Sequence, residues 1–370
     1  MILPVYTTFH WFFDALFNRT AKSYYFSNLN QVSMADFRVF SNKNWCDIPT
    51  NAILCLVFIF SIGISQKLSA QTDSVSTLSA GPAWLVPASE LNKKRLRLLT
   101  TTVVVGYSAT LLGLNYLWYA DYPRSSFHLI NDIEEWQQID KAGHTVGPYI
   151  EAAYIMHVMR WTGIEHKRAA IYAGLTAFML QNTIEVFDGF SAEWGASLSD
   201  VAANFVGSAI MTSQELVWGE QRIRLKILPH FETYPPGELK QRADQLYGTS
   251  LIVKTLKDYN SMNTWASINP ASFFKTQQHL SWLNVAIGYG AGGMYGGFGN
   301  TWYDEAGIFH DRTDVQRYRK VFLSLDMDFS KIKTHSRTLK AILGVLNIVK
   351  VPAPTLEFNT KGQIIFHPLM

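Results

Sequence analysis

The chain has 370 residues, a formal net charge of +3, and a composition of 48% hydrophobic, 14% aromatic and only 16% charged residues. Soluble domains carry roughly 25% charge, so the deficit leans toward membrane contact, while a mean hydropathy of +0.02 excludes a transporter with most residues facing lipid. The small, dispersed charge gives nucleic-acid binding no support. Two cysteines without CxxC spacing, Cys46 and Cys55, suggest neither a disulfide framework nor a zinc site.

The first distinctive segment is Asn51 to Ser65 (NAILCLVFIFSIGIS), an apolar run of signal-peptide length and too short for a comfortable membrane span. Leu68-Ser69-Ala70 follows, with Ala70 suited to the −1 position of a cleavage site and Leu68 less suited to −3. Residues 1–70 are therefore expected to be a leader, the first part an over-long start before a signal peptide. Intact Met1 on the exported protein would refute this. Ala52-Ile53-Leu54 before Cys55 disfavours lipidation there. Residues 71–92, rich in Ser, Thr, Pro and Ala, read as a flexible linker.

A basic cluster, Lys93-Lys94-Arg95-Leu96-Arg97, precedes the uncharged run Leu98 to Ala120, the best transmembrane candidate, with Trp118 and Tyr119 as interfacial anchors. Positive charge favours the cytoplasmic side, whereas a chain exported from residue 71 puts this cluster outside, so the number of spans stays open. Three helical stretches are expected at about 139–162, 167–187 and 199–227, the last capped by Ser199. Beyond Pro229, Pro235 and Pro236 the pattern changes. Residues 238–258 read as helix, Asn263 to Asn269, Leu283 to Tyr289 and Val321 to Phe329 as strands, Ser336 to Val349 as a short helix, and Thr355 to Phe366 as a hairpin turning at Lys361-Gly362. Gly288 to Gly299 holds seven glycines and reads as a flexible loop. The expected fold class is mainly α: a membrane-associated helical bundle over 93–228, followed by a smaller α+β C-terminal region with short strands over 238–370.

The three stretches carry polar residues at helical spacing. Asp140 and His144 are four apart, with Lys141 beside them; Glu185 and Asp188 are three apart; Asp200, Asn204 and Gly207 follow at four and three. Ionisable groups on apolar helices must pair or face an interior, because an isolated charge there costs several kcal/mol, of order 3. The three polar faces are therefore expected to converge.

The pattern Asp140-Lys141-x-x-His144, Glu185-x-x-Asp188-Gly189 and Ser197-x-Ser199-Asp200-x-x-x-Asn204-x-x-Gly207 resembles VanZ-like membrane proteins. It is closer to the envelope family typified by the small bacterial lipoprotein YfiM, in its longer Bacteroidota-type form. The motif covers 140–207, and a looser likeness, including Lys350 to Phe358, reaches the C-terminus. That family is a domain of unknown function, so the resemblance implies cell-envelope location and architecture, not an activity.

Three roles stay open for the cluster. In the first it is a buried polar network, with Lys141, Asp200, Asn204 and Gly207 setting helix packing in an envelope protein of structural or interaction role. In the second, His144 is a general acid or base with Asp140, Glu185 and Asp188 in a membrane-face hydrolase or transferase acting on a lipid-linked or cell-wall substrate. Ser197 and Ser199 are nucleophile candidates by position only. In the third, His144, Glu185 and Asp188 hold a divalent ion; a single histidine gives zinc little support, and no cofactor is expected. The expected partners are membrane lipid, another envelope protein or a lipid-linked glycan, and not nucleic acid.

Overall fold

The computed structural model describes residues 86–115, 119, 122–274, 280–304 and 306–370. All belong to one compact unit, Thr50–Met370. The expected leader (1–70) and most of the linker lie outside the described residues, as does the end of the run Leu98 to Ala120.

Helix α1 (Lys93–Leu114) is capped by the Asn92 side chain. A two-residue strand, β1 (Leu129–Ile130), leads to a tight turn at Glu135–Gln138. Helices α2 (Ile139–Trp161) and α3 (His166–Gly189) follow, then β2 (Ala196–Ser197), which pairs parallel with β1, and α4 (Leu198–Val217). Small side chains let these helices approach: Ala169, Ala170, Ala173 and Ala177 of α3 pack against Tyr149, Ala152 and Met156 of α2 and Met211 of α4. Gly207 of α4 lies so close to α2 that a Cβ there would stand 1.9 Å from the Thr145 carbonyl oxygen. The cap of α4 is Ser197, whose hydroxyl accepts from the Asp200 N–H, rather than Ser199.

The stretch expected to continue this helix to residue 227 instead turns at Gly219 (φ 71°) into β3 (Ile223–Ile227). The remaining elements are α5 (Glu238–Tyr247), α6 (Leu251–Lys257), β4 (Thr264–Ile268), α7 (Pro270–Phe273), β5 (Leu283–Gly292), β6 (Thr301–Tyr303), β7 (Phe309–Asp311), β8 (Tyr318–Met327), α8 (Arg337–Leu346), β9 (Thr355–Asn359) and β10 (Ile364–His367). Six of the strands form one antiparallel sheet in the order β10-β9-β8-β5-β4-β3.

The expected fold class is therefore corrected. The protein is not a mainly α membrane bundle with a small appended region. It is a mixed fold in which three central helices pack on one another and α2 lies against β3, β4 and β5 of a six-stranded antiparallel sheet, with β5 and β8 ten residues long. Leu225 of β3 joins the helical core directly. Among the described residues one helix, α1, is long and apolar enough to cross a membrane.

The glycine-rich segment is corrected as well. Gly288, Gly290 and Gly292 lie within β5, paired to Phe322, Lys320 and Tyr318 of β8. At Gly288 a Cβ would meet the Trp265 ring at 2.7 Å, so glycine there lets an aromatic ring lie on the backbone.

The sheet has unusual sidedness. Its inner face carries Lys226, Ser267, Asn284, Asp326 and Thr355, all buried. Lys226 and Asp326 form an ion pair at 2.8 Å, and Ser267 donates to Asp326 at 2.6 Å. Small apolar contacts among Trp265, Ala286, Phe322 and Met370 share that face. The alternate positions of the same strands point outward and are aliphatic. Over β3 they meet the helices, but over β8 Val321, Leu323 and Leu325 are 47%, 45% and 48% exposed.

Candidate functional site: a lysine and a histidine among carboxylates

The chain enters α2 through a strained turn. Trp136, Gln137 and Gln138 have φ of 48°, 54° and 63°. Three successive non-glycine residues in the left-handed region cost roughly 1–2 kcal/mol each, so neighbouring contacts must hold them. The Trp136 N–H donates to the Gly297 carbonyl at 2.8 Å, and its ring stacks on Tyr259 at 4.7 Å. The Tyr289 hydroxyl donates to the Gln137 carbonyl, and Arg319 donates to Gln138 Oε1 at 2.6 Å. The turn thus fixes the first residues of α2 to the tip of the sheet.

Those first residues form the polar centre. The Lys141 ammonium touches Asp132 Oδ2 at 2.7 Å, Asp140 Oδ2 at 3.0 Å and Asp200 Oδ1 at 2.7 Å. His144, one turn along the same face as Asp140, lies 3.9 Å from Asp140 and Asp200 through Nε2 and 3.8 Å from Glu185 through Nδ1. Asn204 Oδ1 stands 3.1 Å from His144 Nδ1. Glu185 Oε2 accepts the Ser197 N–H at 3.0 Å, and Tyr259 donates to Asp140 Oδ1 at 3.1 Å. Ser197 and Ser199 both donate to Asp132 Oδ1, at 2.5 and 2.7 Å. Asp132, Glu185 and Asp200 are buried, whereas the His144 side chain keeps 19% exposure.

Protonation follows from this packing. Burial raises Glu185 to about 7 and Asp200 to about 6, with the neighbouring His144 opposing in both. Burial also raises Glu135 to about 7, assisted by Asp140 and Asp132. At Asp132 burial works the other way from its hydrogen bonds, and the donors Lys141, Ser197 and Ser199 prevail, holding it at about 2. For His144, burial opposes the charged ring but Asp140, Asp200 and Glu185 outweigh it and raise its pKa. Lys141 is likewise raised, against burial, by Asp140, Asp132 and Asp200. The centre therefore holds positive charge firmly and shares protons among its acids.

Asp140, Lys141, His144, Glu185, Asp200 and Asn204 come together as expected from their spacing, and Gly207 lies one turn on, at the closest approach of α2 and α4. Asp188 does not join the His144 contact: its Oδ1 accepts from Tyr119 at 2.7 Å. Burial raises Asp188 to about 6, opposed by that hydrogen bond. The sequence reading missed Asp132 and Tyr259. Asp132 lies in the connecting segment, where no helical period marks it, and Tyr259 follows Asp140 by 119 positions. With both serine hydroxyl protons committed to a strongly acidic carboxylate, neither serine is set up as a nucleophile beside His144.

Residues 134–214 match the model of a family described as predicted periplasmic lipoprotein (DUF2279). No curated protein and no solved structure matches the chain. The matched segment runs from the strained turn through α4 and so contains Lys141, His144 and most of their partners. This similarity is consistent with a periplasmic, cell-envelope location.

Proposed function

We propose that the chain is a structural or interaction protein of the cell envelope that works against a lipid surface, with the polar centre as the joint that holds its helices to its sheet. The observation that carries the reading is the sidedness of the sheet. In water the aliphatic face of a sheet turns inward and the polar face outward. Here the buried side holds the Lys226–Asp326 pair while Val285, Ile287, Val321, Leu323, Leu325 and Phe358 face out. Ion pairs gathered inward and aliphatics outward is the arrangement that a hydrocarbon surrounding favours. Other elements agree. The amphipathic helix α8 exposes Leu339, Ile342 and Leu346 along one stripe. The apolar stretch of α1 is only 11% buried, and Lys93, Lys94 and Arg97 at its start suit anionic head groups.

Single cysteines introduced at Leu323 and Leu356, in a chain with Cys46 and Cys55 replaced by serine, test this in isolated envelopes. Protection from a water-soluble thiol reagent that is lost on adding detergent is the expected result. Equal labelling with and without detergent would refute lipid contact.

A second reading rests on a separate observation: His144 has three carboxylates within 3.9 Å and remains reachable from solvent. Such a site suits acid–base work on a lipid-linked or cell-wall substrate, with water rather than serine as the attacking group. Under it, His144→Ala removes the envelope phenotype while folded protein persists. Loss of the phenotype only together with loss of the folded protein speaks for the structural role.

A further inference from the structure

We infer that Asp140, His144 and Asp200 form a binding site for a first-row divalent cation. This goes beyond the lipid-facing reading and does not depend on it.

Geometry comes first. His144 Nε2 stands 3.9 Å from Asp140 Oδ1 and 3.9 Å from Asp200 Oδ1. One ligand atom from each of the three residues lies within 4.8 Å of the other two. A point equidistant from three such atoms is roughly 2.3 to 2.5 Å from each, so the side chains need close in by only a few tenths of an ångström to reach the roughly 2.0–2.2 Å that imidazole and carboxylate make to zinc. Two ligands come from one face of α2 and the third from the first turn of α4, so no loop has to reorganise.

The supporting contacts are those that metal sites use. Asn204 Oδ1 sits at His144 Nδ1 and accepts the N–H there, so that once the ring gives up its second proton the Nε2 lone pair faces two carboxylates. A neutral imidazole so oriented meets only anionic oxygens and is stable there when a cation lies between them. Tyr259 donates to Asp140 Oδ1, the oxygen that faces the ring, and orients that carboxylate. Independently, Glu185 is 4% exposed, and its Oε1 accepts no hydrogen bond from the described residues while standing 3.8 Å from the His144 ring. An orphaned, buried carboxylate oxygen aimed at the ring is costly unless positive charge is placed nearby.

Lys141 is the competitor. Its ammonium already holds Asp200 Oδ1 at 2.7 Å, so a bound ion shares that carboxylate with it. Three carboxylates (Asp132, Asp140 and Asp200) touch the one ammonium and Glu185 stands beside His144, so a divalent ion still leaves these groups one charge negative. Repulsion from Lys141 weakens binding without forbidding it.

The full chain, purified in mild detergent and stripped with EDTA, is titrated with ZnCl2 by calorimetry and with MnCl2 by EPR at pH 7.5. One ion per chain is expected. His144→Gln and Asp140→Asn should each weaken binding at least tenfold, Lys141→Met should tighten it, and His310→Ala, at a surface His–carboxylate cluster, should leave it unchanged. Pulsed EPR of the manganese-loaded wild-type chain reads the nitrogen of a coordinating imidazole without any variant. Absence of binding at 100-fold excess ion over chain, absence of nitrogen coupling, or binding lost only with His310→Ala would each overturn the inference. Circular dichroism identifies any variant that fails to fold, in which case the wild-type nitrogen signal decides.

Discussion

Lys141→Met is the most informative single substitution. The methionine fills the volume of the aliphatic stem but removes an ammonium that touches three carboxylates at 2.7 to 3.0 Å. Against burial, Asp132 is held from an ordinary value of 3.8 down to about 2, with Lys141 first among the donors responsible. Removing one partner from a buried charge cluster costs about 3–5 kcal/mol. At pH 8 the expected loss is in that range, a fall in melting temperature of roughly 10 °C for a folded unit this large. At pH 5 the loss should shrink to about half, because protons taken up by Glu185 and Asp200, raised by burial to about 7 and 6, replace the missing ammonium. Urea unfolding of both proteins in the same detergent at the two pH values measures the difference. A loss under about 1 kcal/mol, or the same loss at both pH values, would refute the reasoning.

Three further outcomes are expected. The wild-type chain should be most stable near pH 4–5 and lose stability toward pH 8: the raised Glu185, Asp200 and His144 contribute stability that is present below their ordinary values and lost as pH rises through the raised ones, whereas Asp132, at about 2, contributes above its ordinary value and loses this only in strong acid; a melting temperature that climbs steadily to pH 8 would contradict this. Gly207→Ala should cost about 1–3 kcal/mol, since its methyl would stand 1.9 Å from the Thr145 carbonyl oxygen and force α2 and α4 apart; an unchanged melting temperature would show that the two helices can separate freely. Gln137→Gly should stabilise by about 0.5 kcal/mol, because relief of a left-handed non-glycine residue (φ 54°) exceeds the added freedom of the unfolded chain; a clear loss in thermal unfolding would place the strain elsewhere.

Much of the polar centre was legible because a helix repeats every 3.6 residues. Asp140 with His144, and Asp200 with Asn204 and Gly207, had to share faces, and apolar surroundings required those faces to meet. Asp188 shows the limit of that argument: one turn beyond Glu185 on the same helix, it reached a different partner, Tyr119. Asp132 and Tyr259 were illegible because tertiary structure alone brings a connecting segment to Lys141 and a distant loop to Asp140.

The fold was less legible for a related reason. Alternation in β4, β5 and β8 was readable, and the C-terminal hairpin with Gly362 at its turn is present. Periodicity gives which residues share a face, not which face is buried. In Val321 to Asp326 the alternation is clear, yet the aliphatics face out and Ser324 and Asp326 face in. The apolar surplus was therefore assigned to membrane helices when much of it belongs to a sheet. The segment 223–227 (IRLKI) reads as the end of a helix because no proline interrupts the chain before Pro229. Gly219 with a positive φ, two residues past the end of α4, was the available signal.

The lipid-facing sheet is tested most directly by the depth of its outer surface in a bilayer. An environment-sensitive fluorophore on Leu323→Cys, in a chain with Cys46 and Cys55 changed to serine, is reconstituted with phospholipids brominated along the acyl chain and compared with the same label on Lys361→Cys at the hairpin turn. Strong quenching at position 323 and little at 361 is the expected result. Equal, weak quenching at both would mean that the aliphatic face never meets hydrocarbon.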